Sequence, residues 1–108
     1  MIEVKVWRNP QGDIYKFYVK GHAGYDEYGK DIVCAAVSAI SQTAVLGIEN
    51  IKGVKIRKEI EEGNLEVEVK EVLKEEDKIK LQAILETMVL GLKDVASGYS
   101  EYVKVEEV

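Results

Sequence analysis

A chain of 108 residues that is 46% hydrophobic is long enough to build one domain around its own core, without disulfide or metal staples. With 15 Lys and Arg against 20 Asp and Glu, the net charge is −5, which excludes a broad cationic footprint and makes direct nucleic-acid binding unexpected. The single cysteine, Cys34, excludes an internal disulfide, and the first residues show no leader pattern of basic start, apolar run and small-residue cleavage site, so a reducing cytoplasm is expected.

The first element is a hairpin. Ile2, Val4 and Val6 alternate with Glu3, Lys5 and Trp7, the segment 9–12 (NPQG) turns, and Tyr15, Phe17 and Val19 alternate with Ile14, Lys16 and Tyr18. Trp7 and Tyr18 fall on its less apolar face, as a dimer or peptide contact or as ordinary surface aromatics. Asp31 is placed as the N-cap of a helix running to about Asn50. Its apolar stretch, Ile32 to Ile48, is interrupted by Ser38, Ser41, Gln42 and Thr43 and so falls short of the roughly 20 residues of a membrane span. A second hairpin follows, with Val54 and Ile56, and Ile60 as a further candidate, facing one way on one strand, a turn at 61–64 (EEGN), and Leu65, Val67 and Val69 on the other. The basic stretch 52–58 (KGVKIRK) reads as the wet face of its first strand, because an acidic partner strand comes next.

The charged run Lys70 to Lys80 reads as a solvated connection into the second helix, with extension of the fourth strand through Val72 and Leu73 as the alternative. Beyond it, Leu81, Ile84, Leu85, Met88, Leu92 and Val95 recur at helical spacing until Ser97 and Gly98 stop the helix. A short strand at about Tyr99 to Val105 completes the order ββαββαβ. The expected fold is a single α/β domain over 1–108: a two-layer sandwich with a mixed or antiparallel sheet and two long helices on one face.

Chemistry is concentrated in residues 21–40, GHAGYDEYGKDIVCAAVSAI, which hold the only histidine and the only cysteine. Cys34 lies three residues beyond a helix N-cap, where unpaired N–H groups and the helix dipole favour a thiolate. A buried structural thiol in an apolar helix is the competing reading. His22, flanked by Gly21 and Ala23 at a strand end, has the rigid mount a general base needs, and a surface histidine is its alternative. Between them, Gly24 and Gly29 supply backbone freedom while Tyr25 and Tyr28 supply amphipathic surface for closing over a bound chain; an ordinary surface loop has the same composition. Ser38, one helical turn after Cys34, either serves the thiolate and imidazole or bonds back to the Cys34 carbonyl. Asp31 is a cap or, in addition, an orienter of His22. One His and one Cys fall short of a zinc ligand set, and no metal or cofactor is expected. The N–H groups of Val33 and Cys34, at the helix end, are candidate oxyanion donors.

The same stretch, with its Gly-His-Ala-Gly and Asp-Ile-Val-Cys-Ala-Ala-Val-Ser segments, resembles the signature of the ribosomal-processing cysteine protease family, Prp, and the likeness extends over the whole chain in length and element order. The resemblance implies a cysteine endopeptidase with His22 and Cys34 as catalytic pair, and Asp31 and Ser38 at the motif's aspartate and serine. It implies removal of a short N-terminal extension from a large-subunit ribosomal protein precursor, after a hydrophobic sequence ending in an aromatic residue. It also implies a homodimer and a loop that orders over substrate; on charge balance and on the interrupted apolar helix, neither nucleic acid nor membrane is an expected partner. Two readings from other classes stand beside it: a non-catalytic module docking on a ribosomal protein or assembly intermediate, and a thiol redox sensor. A positioned proton shuttle favours the protease over the sensor.

Overall fold

The computed structural model describes residues 1–108. Strands β1 (Ile2–Arg8) and β2 (Ile14–Lys20) form the first hairpin, followed by helix α1 (Ile32–Glu49). Strands β3 (Val54–Glu61) and β4 (Asn64–Val72) form the second, and helix α2 (Glu75–Gly98) and strand β5 (Val103–Glu107) complete the chain. The sheet is mixed, in the order β3-β4-β2-β1-β5: β5 runs parallel to β1, and the other neighbours are antiparallel. Central β2 therefore pairs with β4 as well as β1, with Lys20 opposite Asn64, which brings the turn of the second hairpin to the end of β2.

Both helices lie on the face to which Val4, Val6, Phe17, Val67 and Val103 point, and these residues form one core with Val37, Ile48, Leu85 and Leu92. Burying side chains of this size stabilises by roughly 1.5–3 kcal/mol each. Helix α1 has a mean hydropathy of 1.7, so it is long and apolar enough to cross a membrane by composition, despite the polar interruptions expected to disqualify it. Packing accounts for that apolarity: Val33, Val37, Ala44, Val45 and Ile48 are buried, and the hydroxyl of Ser41 donates to the Val37 carbonyl at 2.7 Å.

The sequence expectation needs correction in three places. Strict alternation puts Tyr15 on the apolar side of β2, but the pairing shifts between Trp7 and Arg8, opposite Lys16 and Ile14. This bulge turns Ile14 into the core and leaves Tyr15 exposed. Gln82 of α2 completes it, accepting from the Ile14 N–H and donating to the Ile14 carbonyl, each at 2.8 Å. Of the charged run Lys70 to Lys80, only Leu73 and Lys74 connect: β4 continues to Val72, the alternative reading of the run, and α2 starts at Glu75, earlier than a solvated connection to Lys80 allows. Glu75, Glu76 and Asp77 fill its first turn, where carboxylates complement the helix dipole. Strand β5 begins at Val103 because Tyr99 to Tyr102 turn the chain first, the Tyr102 N–H bonding the Tyr99 carbonyl at 2.9 Å.

On the open face of the sheet, Trp7 and Tyr18 meet edge to face at 5.4 Å. Lys16 lies over the Trp7 ring and Lys20 over that of Tyr18, so lysine stems already cover both aromatics. The basic stretch on β3 faces acidic β4, with Lys55 on Glu71 at 3.6 Å and Arg57 on Glu68 at 3.5 Å.

Candidate active site

The site forms where the end of β2 meets the N-terminus of α1. Gly21 turns the chain out of the sheet at φ +96°, so close to the Met1 carbonyl that a side chain there would collide with it. The Gly21 N–H donates to the Gly63 carbonyl at 2.9 Å, fastening the start of the loop to the second hairpin. His22 follows and is exposed, whereas Ala23 is buried. The Ala23 N–H donates to Sγ of Cys34 at 3.2 Å, a direct link between the loop and the thiol. Cys34 is half-buried, with its side chain packed against the core.

Asp31 holds this arrangement together. Its Oδ1 caps α1 by accepting from the Val33 and Cys34 N–H groups at 3.0 and 2.9 Å. Its Oδ2 accepts from the Tyr25 and Asp26 N–H groups at 3.0 and 3.4 Å, folding the loop back onto the helix. The expectation that the Val33 and Cys34 N–H groups await an oxyanion is thereby overturned, since the cap occupies both. Neither Asp31 oxygen bonds the His22 imidazole. The Cys34 N–H, opposed by desolvation and joined by those of Asp26 and Tyr25, holds the carboxyl below its ordinary value of 3.8. A carboxyl depressed on folding stabilises the native state above its ordinary value and ceases to do so as pH falls through the native value. Asp31→Asn, with one acceptor for four donors, is expected to unfold at lower urea than the wild type near neutrality, and the gap should narrow below pH 3.8. Urea midpoints measured from pH 7 to pH 3 check this.

The rest of the loop is anchored on one side and open on the other. Tyr25 packs edge to face on Tyr99 and Tyr102, at 5.6 and 5.2 Å between ring centres, so the turn between α2 and β5 fixes it. Tyr28 stands free at 87% exposure, between the Glu27–Lys30 ion pair at 2.8 Å and Gly29 at φ +85°. Ser38 makes no side-chain bond to the Cys34 carbonyl; its own carbonyl accepts weakly from Ser41 at 3.4 Å.

His22, Asp31, Cys34 and Ser38 line an open cleft of about 600 Å³ together with Gly24, Tyr28 and Gly29. A smaller recess of about 90 Å³ continues inward past His22, Cys34 and Ser38. Of the site residues expected from the sequence, all but Tyr25 and the candidate oxyanion donor Val33 border the larger cleft. Sequence reasoning missed the opposite wall, made of Glu62 at the cleft and Gly63 and Asn64 at the recess. The stretch EEGN signals a turn, and nothing local in it signals which loop the turn will touch. No three histidine, cysteine, aspartate or glutamate side chains converge as a metal site would require.

Comparison with known proteins gives a consistent result. Residues 1–104 match the family model described as cysteine protease Prp. The ribosomal processing cysteine protease Prp of Bacillus subtilis is 31% identical over 107 residues, covering 97% of this chain and 96% of that protein. The protein of the same name from Staphylococcus aureus is 29% identical over 105 residues, covering 97% of each. Among solved structures, S. aureus Prp with a covalently linked product peptide superposes with a TM-score of 0.89 at 26% identity, and its complex with a substrate peptide with 0.83 at 25%, both over the full length of each chain.

Proposed function

The chain belongs to the cysteine protease Prp family, and on that premise we propose that it removes a short N-terminal extension from a large-subunit ribosomal protein precursor, with His22 and Cys34 as its catalytic pair. Cleavage follows a hydrophobic stretch ending in an aromatic residue. The whole chain, 1–108, acts as one protease domain, in the cytoplasm. The observation that carries this reading is the shared cleft in which the only imidazole and the only thiol stand together, with the Ala23 N–H already directed at the sulfur.

The chemistry runs in two halves. The imidazole of His22 takes the thiol proton, and the Ala23 N–H favours the resulting anion. The sulfur attacks the scissile carbonyl, and the tetrahedral intermediate collapses as His22 returns the proton to the leaving amine. That amine is the new N-terminus of the ribosomal protein, and the extension stays on Cys34 as a thioester. Water, deprotonated by His22, then attacks the thioester; the extension leaves as a carboxylic acid and the thiol is restored. With the Val33 and Cys34 N–H groups held by Asp31, the Ala23 N–H, already at the sulfur, is the donor placed to meet the oxyanion. Asp31 supports the reaction by holding loop and helix in place, and Ser38 stands one turn from the nucleophile. Gly24, Tyr25, Tyr28 and Gly29 form the substrate loop, in which Tyr28 and Gly29 close while Tyr25 stays anchored. Incubating the purified protein with a peptide spanning an extension junction, and finding a single cut that iodoacetamide pretreatment abolishes, tests the assignment.

The protein acts as a homodimer in this reading. In support, the outward seam of α1 and α2 carries an apolar groove of about 790 Å³, lined by Ile40, Ala44, Gly47, Ile84, Met88 and Gly91. Leu46 and Leu90, each 69% exposed, extend this apolar helix face. Thr87→Arg places a charge in the groove and spares the core, so it is expected to raise the dissociation constant at least about tenfold by sedimentation, since an unpaired charge in an apolar contact costs more than 1.4 kcal/mol. An unchanged dimer would remove this seam from consideration.

A further inference from the structure

The wall facing His22 is backbone. A methyl group built on Gly63 would lie 2.8 Å from Nε2 of His22, 3.3 Å from Cε1 and 3.5 Å from Cδ2. These three atoms are the Nε2 corner of the ring, so the imidazole is seated on the turn of the β3–β4 hairpin with Nδ1 on its far side. Gly63 holds φ at +70°, and its carbonyl accepts the Gly21 N–H at 2.9 Å, fixing the backbone one residue before His22. The same turn thus locates both the root of the histidine and the edge of its ring.

We propose that Gly63 is a positioning residue of the protease, whose bare backbone seats the Nε2 corner of His22 and so presents Nδ1 for proton exchange with Cys34. This rests on His22 and Cys34 being the catalytic pair. A side chain at 63 pushes the ring off its seat, and displacements on the ångström scale cost up to about 100-fold in rate. The loss falls on kcat, because the seat touches the base and leaves the loop residues that meet substrate untouched.

The experiment compares Gly63→Ala and Gly63→Asn with Gly12→Ala. Asparagine tolerates positive φ, so Gly63→Asn keeps the turn while adding bulk beside the ring. Gly12 has φ +87° with nothing within 4 Å of an added methyl, so Gly12→Ala reproduces backbone strain without crowding. His22 is the only histidine, so the ¹⁵N signals of its ring are read directly in each variant, without substrate. Both Gly63 variants are expected to move those signals and to lower kcat by about 10- to 100-fold with KM within about threefold; Gly12→Ala should do neither. Wild-type ring signals and kcat in folded Gly63→Asn, or equal losses in Gly12→Ala, would overturn the proposal. The ring signals report seating even if another pair performs catalysis, so failure of the seat and failure of the catalytic assignment are distinguishable.

Discussion

Replacing Cys34 with alanine is expected to lower kcat for cleavage at the extension junction by at least about 10⁴-fold, because the acyl group then has no covalent acceptor and every other contribution works around a missing bond. Substrate binding should persist within a few-fold, since the loop retains its contacts. Structure should persist too. Cys34 is only half-buried, and Asp31 caps α1 through backbone N–H groups that alanine keeps. The Ala23 N–H loses its sulfur acceptor, a local change at the mouth of an open cleft. Cleavage assays paired with peptide titration by fluorescence anisotropy check both parts. A Cys34→Ala protein that still cuts at more than about one hundredth of the wild-type rate would place the nucleophile elsewhere.

Replacing His22 with alanine is expected to cost about 10²- to 10⁴-fold in kcat, the usual range for removing a general acid and base. This loss should be smaller than that for Cys34, because a thiol keeps some nucleophilicity without its base. Free imidazole offers a sharper readout. Alanine at 22 leaves room against the bare backbone of Gly63, in a cleft open to solvent, so added imidazole should restore part of the rate in proportion to its concentration. The same addition should leave Cys34→Ala inactive. Loss of activity in His22→Ala without imidazole rescue, in a protein whose thiol still reacts with iodoacetamide, would show that His22 shapes the site without moving protons.

The sequence made the local features legible. Alternation located both hairpins, the helical spacing from Leu81 onward located α2, and Asp31 announced the start of α1 at the residue where the structure begins it. That His22 and Cys34 would border one cleft could be anticipated because only a short loop separates a strand end from a helix start. Features that depend on non-local pairing stayed hidden. The chain order of the strands does not reveal that β4 lies against β2, so Gly63 gave no sign of its contact with His22. The bulge at Tyr15 is specified partly by Gln82, 68 residues from Ile14. The run before α2 looked solvated because its charges were read as polarity, when at a helix N-terminus Glu75, Glu76 and Asp77 serve as a charge complement. Asp31 was legible as a cap, but a cap motif does not say that the second oxygen will gather Tyr25 and Asp26 and leave no acceptor for His22.

In the proposed function this fold removes an N-terminal extension from a ribosomal protein through Cys34. Intact mass spectrometry of the extended large-subunit ribosomal protein from the same organism, after incubation with wild-type protein and separately with Cys34→Ala, tests it most directly. Loss of one defined N-terminal fragment with the wild type, ending in an aromatic residue, and an unchanged mass with Cys34→Ala is the result expected. An unchanged mass with both, with the thiol shown to be reduced and the two proteins shown to bind, would contradict the claim and leave a docking module in place of a protease.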